Sequence, residues 1–209
     1  MTGRANQKLR TRTAIRQAAA ELMRTGREIT MPEVARAALV SEATAYRYFP
    51  DLASLLQEAM VGELPSPAEA LASVADSVDP VERVAAATEH LLRLVLAYEG
   101  ATRAMIAATI TRPAAAAEAR PALRVGLIDH ALAPLADTLG ATAPAALAQL
   151  KSGLAVVVSA EALFTLTDLC RLPPEDAIAT AVHTATALTR GVLQQHADTQ
   201  HADTQHADV

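Results

Sequence analysis

"TMPEVARAALVSEATAYRYFPDLASLLQEA", residues 30–59, decides the fold. Thr30 is followed three residues later by Glu33, a capping-box pattern that starts a helix. Pro32 is tolerated in the first turn, where its missing N–H would be unpaired anyway. Val34, Ala35 and Ala38 make a small apolar stripe. A short break at Leu39–Val40 leads to a second cap, Ser41, and a helix to about Tyr48. Pro50 and Asp51 end that helix and cap a further one, from about Leu52 to Gly62.

Upstream, residues 9–24 place Ile15, Ala18, Ala19 and Leu22 at helical spacing, with Gly26 as a stop. Two short helices joined by a tight turn, with further helices packed behind, form a helix-turn-helix plan. Ala35 and Ala38 let the two helices approach, and Val40 plugs the space between them.

The chain has five aromatic residues, and Tyr46, Tyr48 and Phe49 fall together around Arg47. Phe49 has no polar tip and is assigned to the core. Tyr46 and Tyr48 carry hydroxyls that can meet a polar partner while their rings pack.

Composition points the same way. The sequence of 209 residues is 51% hydrophobic, mostly Ala, Leu and Val, with little β-branched alternation. Such a chain favours helix throughout and can bury a sizeable core. Charge is uneven. Residues 1–60 carry nine Lys/Arg against six acids, +3, and the rest carries nine against seventeen, −8, giving the net −5. No acid precedes Glu21, whereas Arg4, Lys8, Arg10, Arg12 and Arg16 do. A basic leading segment on an acidic body suits contact with a polyanion.

Beyond "LPSPAEA", which begins at Leu64 and marks a joint, four longer helices are expected. They run from Pro80 to Glu99, Leu123 to Leu139, Ala145 to Cys170 and Pro174 to Gln194, with a shorter one around Ala101 to Ile110. Breaks are expected at Gly100, Pro113, Pro121, Gly140–Pro144 and Pro173–Pro174. The last fifteen residues repeat His-Ala-Asp-Thr-Gln with His196, His201 and His206. A step of five puts the imidazoles on no common helix face, so a disordered repeat tail is expected rather than a metal site.

One cysteine, Cys170, excludes an intrachain disulfide. The polar, basic start has no apolar signal region. The apolar run Gly153 to Leu166 is shorter than the ~20 residues that span a bilayer, so no membrane partner is expected and the cytoplasm is the default location. No phosphate-cradling glycine loop, zinc-ligand spacing or nucleophile–base setting is present, so no enzyme, cofactor or metal is expected.

Ala14 to Ala59 resembles the DNA-binding domain of TetR-type transcriptional regulators. The residues that carry the likeness are Gly26, Thr30, Val34–Ala35, Val40–Ser41, Tyr46–Tyr48–Phe49 and Leu55–Leu56. Two positions depart from the pattern. Leu39 stands where the turn usually has glycine, and Leu52 where a phosphate-binding lysine is common.

The resemblance implies an all-α fold of about nine helices. Residues 1–60 would be a helix-turn-helix DNA-binding domain, 61–194 a helical effector-binding and dimerisation domain, and 195–209 the tail. It implies a homodimeric, ligand-responsive regulator, most often a repressor, on a palindromic double-stranded operator. An effector-independent architectural or activator protein is the alternative.

Candidate DNA contacts are Thr30, Ser41, Ala43, Thr44, Tyr46, Arg47 and Tyr48. Ala43 and Thr44 suit thymine methyls, Arg47 suits guanine or phosphate, and the tyrosine hydroxyls suit phosphate. Candidate effector contacts are Tyr98, Arg103, Met105, Thr109, His130, Glu161, Phe164 and Thr165. The dimer is assigned to helices of about 145–170 and 174–194.

Overall fold

The structure, a computed structural model, describes residues 3–60, 63–111, 123–136 and 138–207. Among these residues every regular element is helical. The chain divides into two compact units: residues 1–65 with 94–121, and residues 66–93 with 122–209. The first therefore takes in a later segment that the sequence reading gives to the second domain.

In the first unit, α1 runs Gly3–Met23, α2 Met31–Ala37, α3 Glu42–Tyr48 and α4 Leu52–Met60. Helix α6, Pro80–Ala97, belongs to this unit from Leu94 onward, and α7 is Glu99–Thr111. Both expected caps form. Glu33 N–H donates to Thr30 Oγ1 at 3.4 Å, and Thr30 N–H returns a bond to Glu33 Oε2 at 3.0 Å. Thr44 N–H donates to Ser41 Oγ at 3.2 Å. Ile15, Ala19, Met23, Val34, Ala35, Ala45, Phe49, Leu55 and Leu56 form one core, with Ala101 of α7 in it. Phe49 is 2% exposed, as its apolar tip requires.

Two glycines fix how α7 joins this core. Gly26 sits at φ 69, a left-handed turn that glycine adopts without a Cβ clash. Its carbonyl accepts from Gly100 N–H at 3.1 Å. A Cβ on Gly100 would stand 1.9 Å from the Arg27 carbonyl oxygen, so only glycine permits this approach.

In the second unit, α5 is Pro67–Ala70, followed by a 3₁₀ turn at Ala72–Val74 and the first part of α6. Then come α8 Leu123–Ala131, α9 Ala133–Ala136, α10 Leu139–Thr142, α11 Pro144–Val157, α12 Ala160–Phe164 and α13 Pro174–Ala207. Leu71, Val84, Leu91, Leu127, Leu132, Leu150, Leu154 and Ala185 are among its core residues. Buried threonines satisfy their hydroxyls within their own helices: Thr88 donates to Val84 O at 2.7 Å and Thr189 to Ala185 O at 2.9 Å.

Three expected elements differ. The helix expected from Leu123 to Leu139 is broken after Ala131. Pro134 has no N–H to offer the His130 carbonyl. The Arg83 guanidinium takes that role instead, donating Nη2 to His130 O at 2.8 Å and Nε to Ala131 O at 3.2 Å. Arg83 is 5% exposed and its Nη1 also reaches Val74 O at 2.9 Å, so carbonyl dipoles solvate a buried cation.

The helix expected from Ala145 to Cys170 bends by 45° at Val158–Ser159. Ser159 adopts an extended backbone and accepts Ala162 N–H at 3.0 Å, so it caps a new helix rather than continuing the old one. A π-helical turn, Thr165–Leu169, follows.

The tail expected to be disordered continues α13 to Ala207. Its repeat contains no glycine or proline, and its polar side chains bond along the helix. Thr199 Oγ1 donates to Gln195 O at 2.8 Å, and Gln200 Nε2 lies 3.0 Å from His196 Nε2. The expected end of α4 at Gly62 and the breaks at Pro113 and Pro121 lie outside the described residues.

Candidate nucleic-acid interface

Helix α3 exposes Glu42, Ala43, Tyr46 and Arg47, with Ser41 exposed before it. Thr44 and Tyr48 are half-buried. Tyr48 packs on the first unit's core, and the Arg47 guanidinium stands 5.6 Å from the centre of its ring. Gln7, Lys8 and Thr11 of α1 face Val40, Ser41, Thr44, Arg47 and Tyr48 across an open cleft of about 680 Å³. Two helices thus present amides, hydroxyls and cations around one groove, the mixture that phosphate oxygens and base edges require.

The expected contacts are not equally available. Ser41 Oγ donates to Thr44 Oγ1 at 2.9 Å, so this pair serves the cap of α3. Thr30 Oγ1 donates to Glu33 Oε2 at 2.9 Å, and that bond lowers the Glu33 carboxyl from its ordinary value. The Thr30 hydroxyl proton therefore points at an anion of its own chain.

Leu39 takes the left-handed backbone, φ 55, with its side chain 93% exposed. A leucine in this conformation stores strain. Leu52 is half-buried against the core and offers nothing to phosphate.

The basic leading segment is helical from Gly3, and its cations split by role. Lys8 and Arg10 are exposed and, among the described residues, face no carboxylate. Arg12 is turned toward α4, with its side chain still 44% exposed. Its Nε donates to Glu58 Oε1 at 3.0 Å, its Nη2 to Glu58 Oε2, and its Nη1 to the Tyr48 carbonyl at 3.4 Å. The Arg12 guanidinium also lies 4.6 Å from the centre of the Phe49 ring. The sequence offers only the spacing of basic residues, which does not distinguish Arg12 from its neighbours.

The eight expected effector residues divide between the units. Tyr98 and Met105 pack on the first unit's core, Arg103 Nε donates to Glu99 Oε1 at 2.8 Å, and Thr109 Oγ1 donates to Met105 O at 2.9 Å. In the second unit, Glu161 Oε2 is 3.7 Å from Arg124 Nη1, and Thr165 Oγ1 donates to Glu161 O at 2.8 Å. His130 serves Arg83 through its carbonyl, and Phe164 is half-buried. The sequence reading passes over His90 of α6. Its Nε2 is buried and, among the described residues, has no hydrogen-bond partner.

Among the described residues, no group of His, Cys, Asp or Glu side chains is arranged to hold a metal ion, and no single helix is long and apolar enough to cross a membrane.

Residues 15–59 match the family model described as bacterial regulatory proteins, tetR family. No curated protein sequence matches the chain. The fold is similar to the crystal structure of a TetR transcriptional regulator from Rhodococcus sp. RHA1, with TM-score 0.51 and 20% identity, over 87% of this chain and 97% of that one. The chain thus carries a tetR-type helix-turn-helix domain at residues 15–59, within an all-helical fold like that of a TetR regulator.

Proposed function

We propose that this protein is a cytoplasmic, homodimeric transcriptional regulator without catalytic activity, which binds a palindromic operator through α3 and is released by a small-molecule effector. The observation that carries the DNA-binding part is the exposed face of α3. Ala43, Tyr46 and Arg47 stand outward there, and Lys8 and Gln7 flank the same groove. Ser41, Thr44 and Tyr48 line it, and Thr30 stands at the start of α2. The module of residues 1–60 presents the face, and Phe49 anchors it from behind.

Dimerisation is assigned to α11 and α13. Val156 is 71% exposed and Leu188 is 40% exposed, and Leu188 reaches across to Gly153, one helical turn from Val156. Two exposed apolar side chains on neighbouring helices suit a self-complementary two-fold contact. Effector binding rests on the family resemblance and on His90, whose buried nitrogen would gain a hydrogen bond from a polar ligand. An effector acts by preferring one of two forms, and the shift is no larger than that preference.

Selection of bound DNA from a random pool by the purified protein tests the reading. A palindromic consensus is expected, lost on adding the cognate ligand. Affinity falls linearly on a logarithmic salt scale, because phosphate contacts release counterions. Arg47→Ala is expected to cost about 1–3 kcal/mol of binding and relax preference at one base position. A pool that returns no consensus removes the proposal.

A further inference from the structure

We propose that Arg12 is a positioning residue for the recognition helix: it sets the pose of α3 by tying its last residue to α4, and does not itself contact DNA. This rests on the DNA-binding reading above. By sequence, Arg12 sits among Lys8, Arg10 and Arg16, where each cation reads as a phosphate ligand. The geometry separates it from them. Both oxygens of Glu58 on α4 accept from Nε and Nη2, as a planar fork meeting a carboxylate. The third nitrogen, Nη1, reaches the carbonyl of Tyr48, the final residue of α3, at 3.4 Å.

A helix ends with carbonyls that lack intrahelical partners and carry partial negative charge, so a guanidinium there is favoured twice. The Phe49 ring, where the chain leaves the helix at φ −134 and ψ 110, lies against the same cation. One side chain therefore joins α1, the end of α3 and α4. Arg47 immediately precedes Tyr48, so any rotation at this end moves Arg47 directly. Lysine carries its donors on one point and cannot hold a carboxylate, a carbonyl and a ring face together.

Glu58 makes the proposal testable, because charge and position predict opposite signs. Glu58→Gln removes a negative charge from a DNA-binding module, and simple electrostatics makes binding tighter. If Arg12 positions α3, losing its carboxylate loosens the pose and binding weakens.

The test measures affinity of full-length protein for the sequence that the wild type selects, across a salt series. All variants are held well below their thermal midpoints by far-ultraviolet circular dichroism, so that lost binding is not lost folding. Arg12→Gln, Arg12→Lys and Glu58→Gln are each expected to weaken binding by about tenfold or more. The salt slope stays that of the wild type, and the double variant R12Q/E58Q is no weaker than the worse single one.

A slope reduced by about one per protomer in Arg12→Gln identifies a phosphate contact and overturns the proposal. So does tighter or unchanged binding by Glu58→Gln, or full recovery in Arg12→Lys. Wild-type protein that selects no sequence overturns the regulator reading itself, and this role with it. Selective wild type with unaffected variants overturns only the role of Arg12.

Discussion

Leu39 and Gly100 are the two residues where backbone geometry and side-chain identity disagree most instructively. Leu39 holds φ 55 with its side chain in solvent, so it gains almost no burial for the strain. A left-handed leucine costs about 1–2 kcal/mol, while glycine costs about 0.5–1 kcal/mol in unfolded-chain entropy. Leu39→Gly is therefore expected to stabilise the protein by roughly 0.5–1 kcal/mol in urea unfolding. Leu39→Ala, which keeps the Cβ, should leave stability close to the wild type. Gly100 inverts the ordinary rule. Glycine to alanine inside a helix normally stabilises by up to about 1 kcal/mol. Here the new Cβ would meet the Arg27 carbonyl oxygen, so Gly100→Ala is expected to destabilise by about 1–3 kcal/mol in the same measurement.

At the scale of elements, the caps carry a pH dependence whose sign follows from two carboxylates. Glu33 and Glu69 each accept from the hydroxyl and backbone N–H of their cap residue, Thr30 and Ser66, and both are held below the ordinary value of 4.5. A depressed carboxylate contributes stability that is present above 4.5 and is lost as pH falls through the lower folded value. The thermal midpoint is expected to fall with acid below about pH 4.5, and less so in Glu33→Gln, which cannot titrate there. The Thr30 cap was legible in the sequence because a cap is local: Thr30 and Glu33 are three residues apart. Phe49 was legible because an apolar ring beside polar-tipped tyrosines has one sensible place. The break after Ala131 has a local signal in Pro134, but what satisfies the carbonyl that Pro134 leaves open, Arg83 nearly fifty positions away, was not legible. The pairing of Arg12 was hidden for the same reason: its partner is Glu58, and spacing along α1 says nothing about α4. The helical course of the repeat was not legible, because a period of five matches no helix face. Its freedom from glycine and proline, which α13 uses to continue to Ala207, carried the better signal.

At the scale of the whole molecule, one short helix makes few base contacts, so in the proposed dimer selectivity would come from presenting two together. Joining two modules converts the second contact into an intramolecular one and raises avidity by about 10²–10⁴ without new protein–DNA contacts. That multiplier is attributed to the Val156 and Leu188 surface, which lies outside the unit that holds α3. Replacing both, Val156→Asp with Leu188→Glu, sets carboxylates against their own copies across a two-fold axis, where like charges repel and lose their hydration. Val156 is mostly exposed in the single chain and should tolerate the change within about 0.5 kcal/mol, whereas Leu188, 40% exposed, should cost about 1 kcal/mol, which leaves the chain folded. Sedimentation should then show the mass falling from twice the chain to once, with the circular-dichroism spectrum preserved. Operator affinity should drop by about 10²-fold or more, while the residual binding keeps the base preference that Arg47 confers. A double variant that stays dimeric places the interface elsewhere. One that becomes monomeric yet binds the operator undiminished would mean that the two recognition helices do not act together.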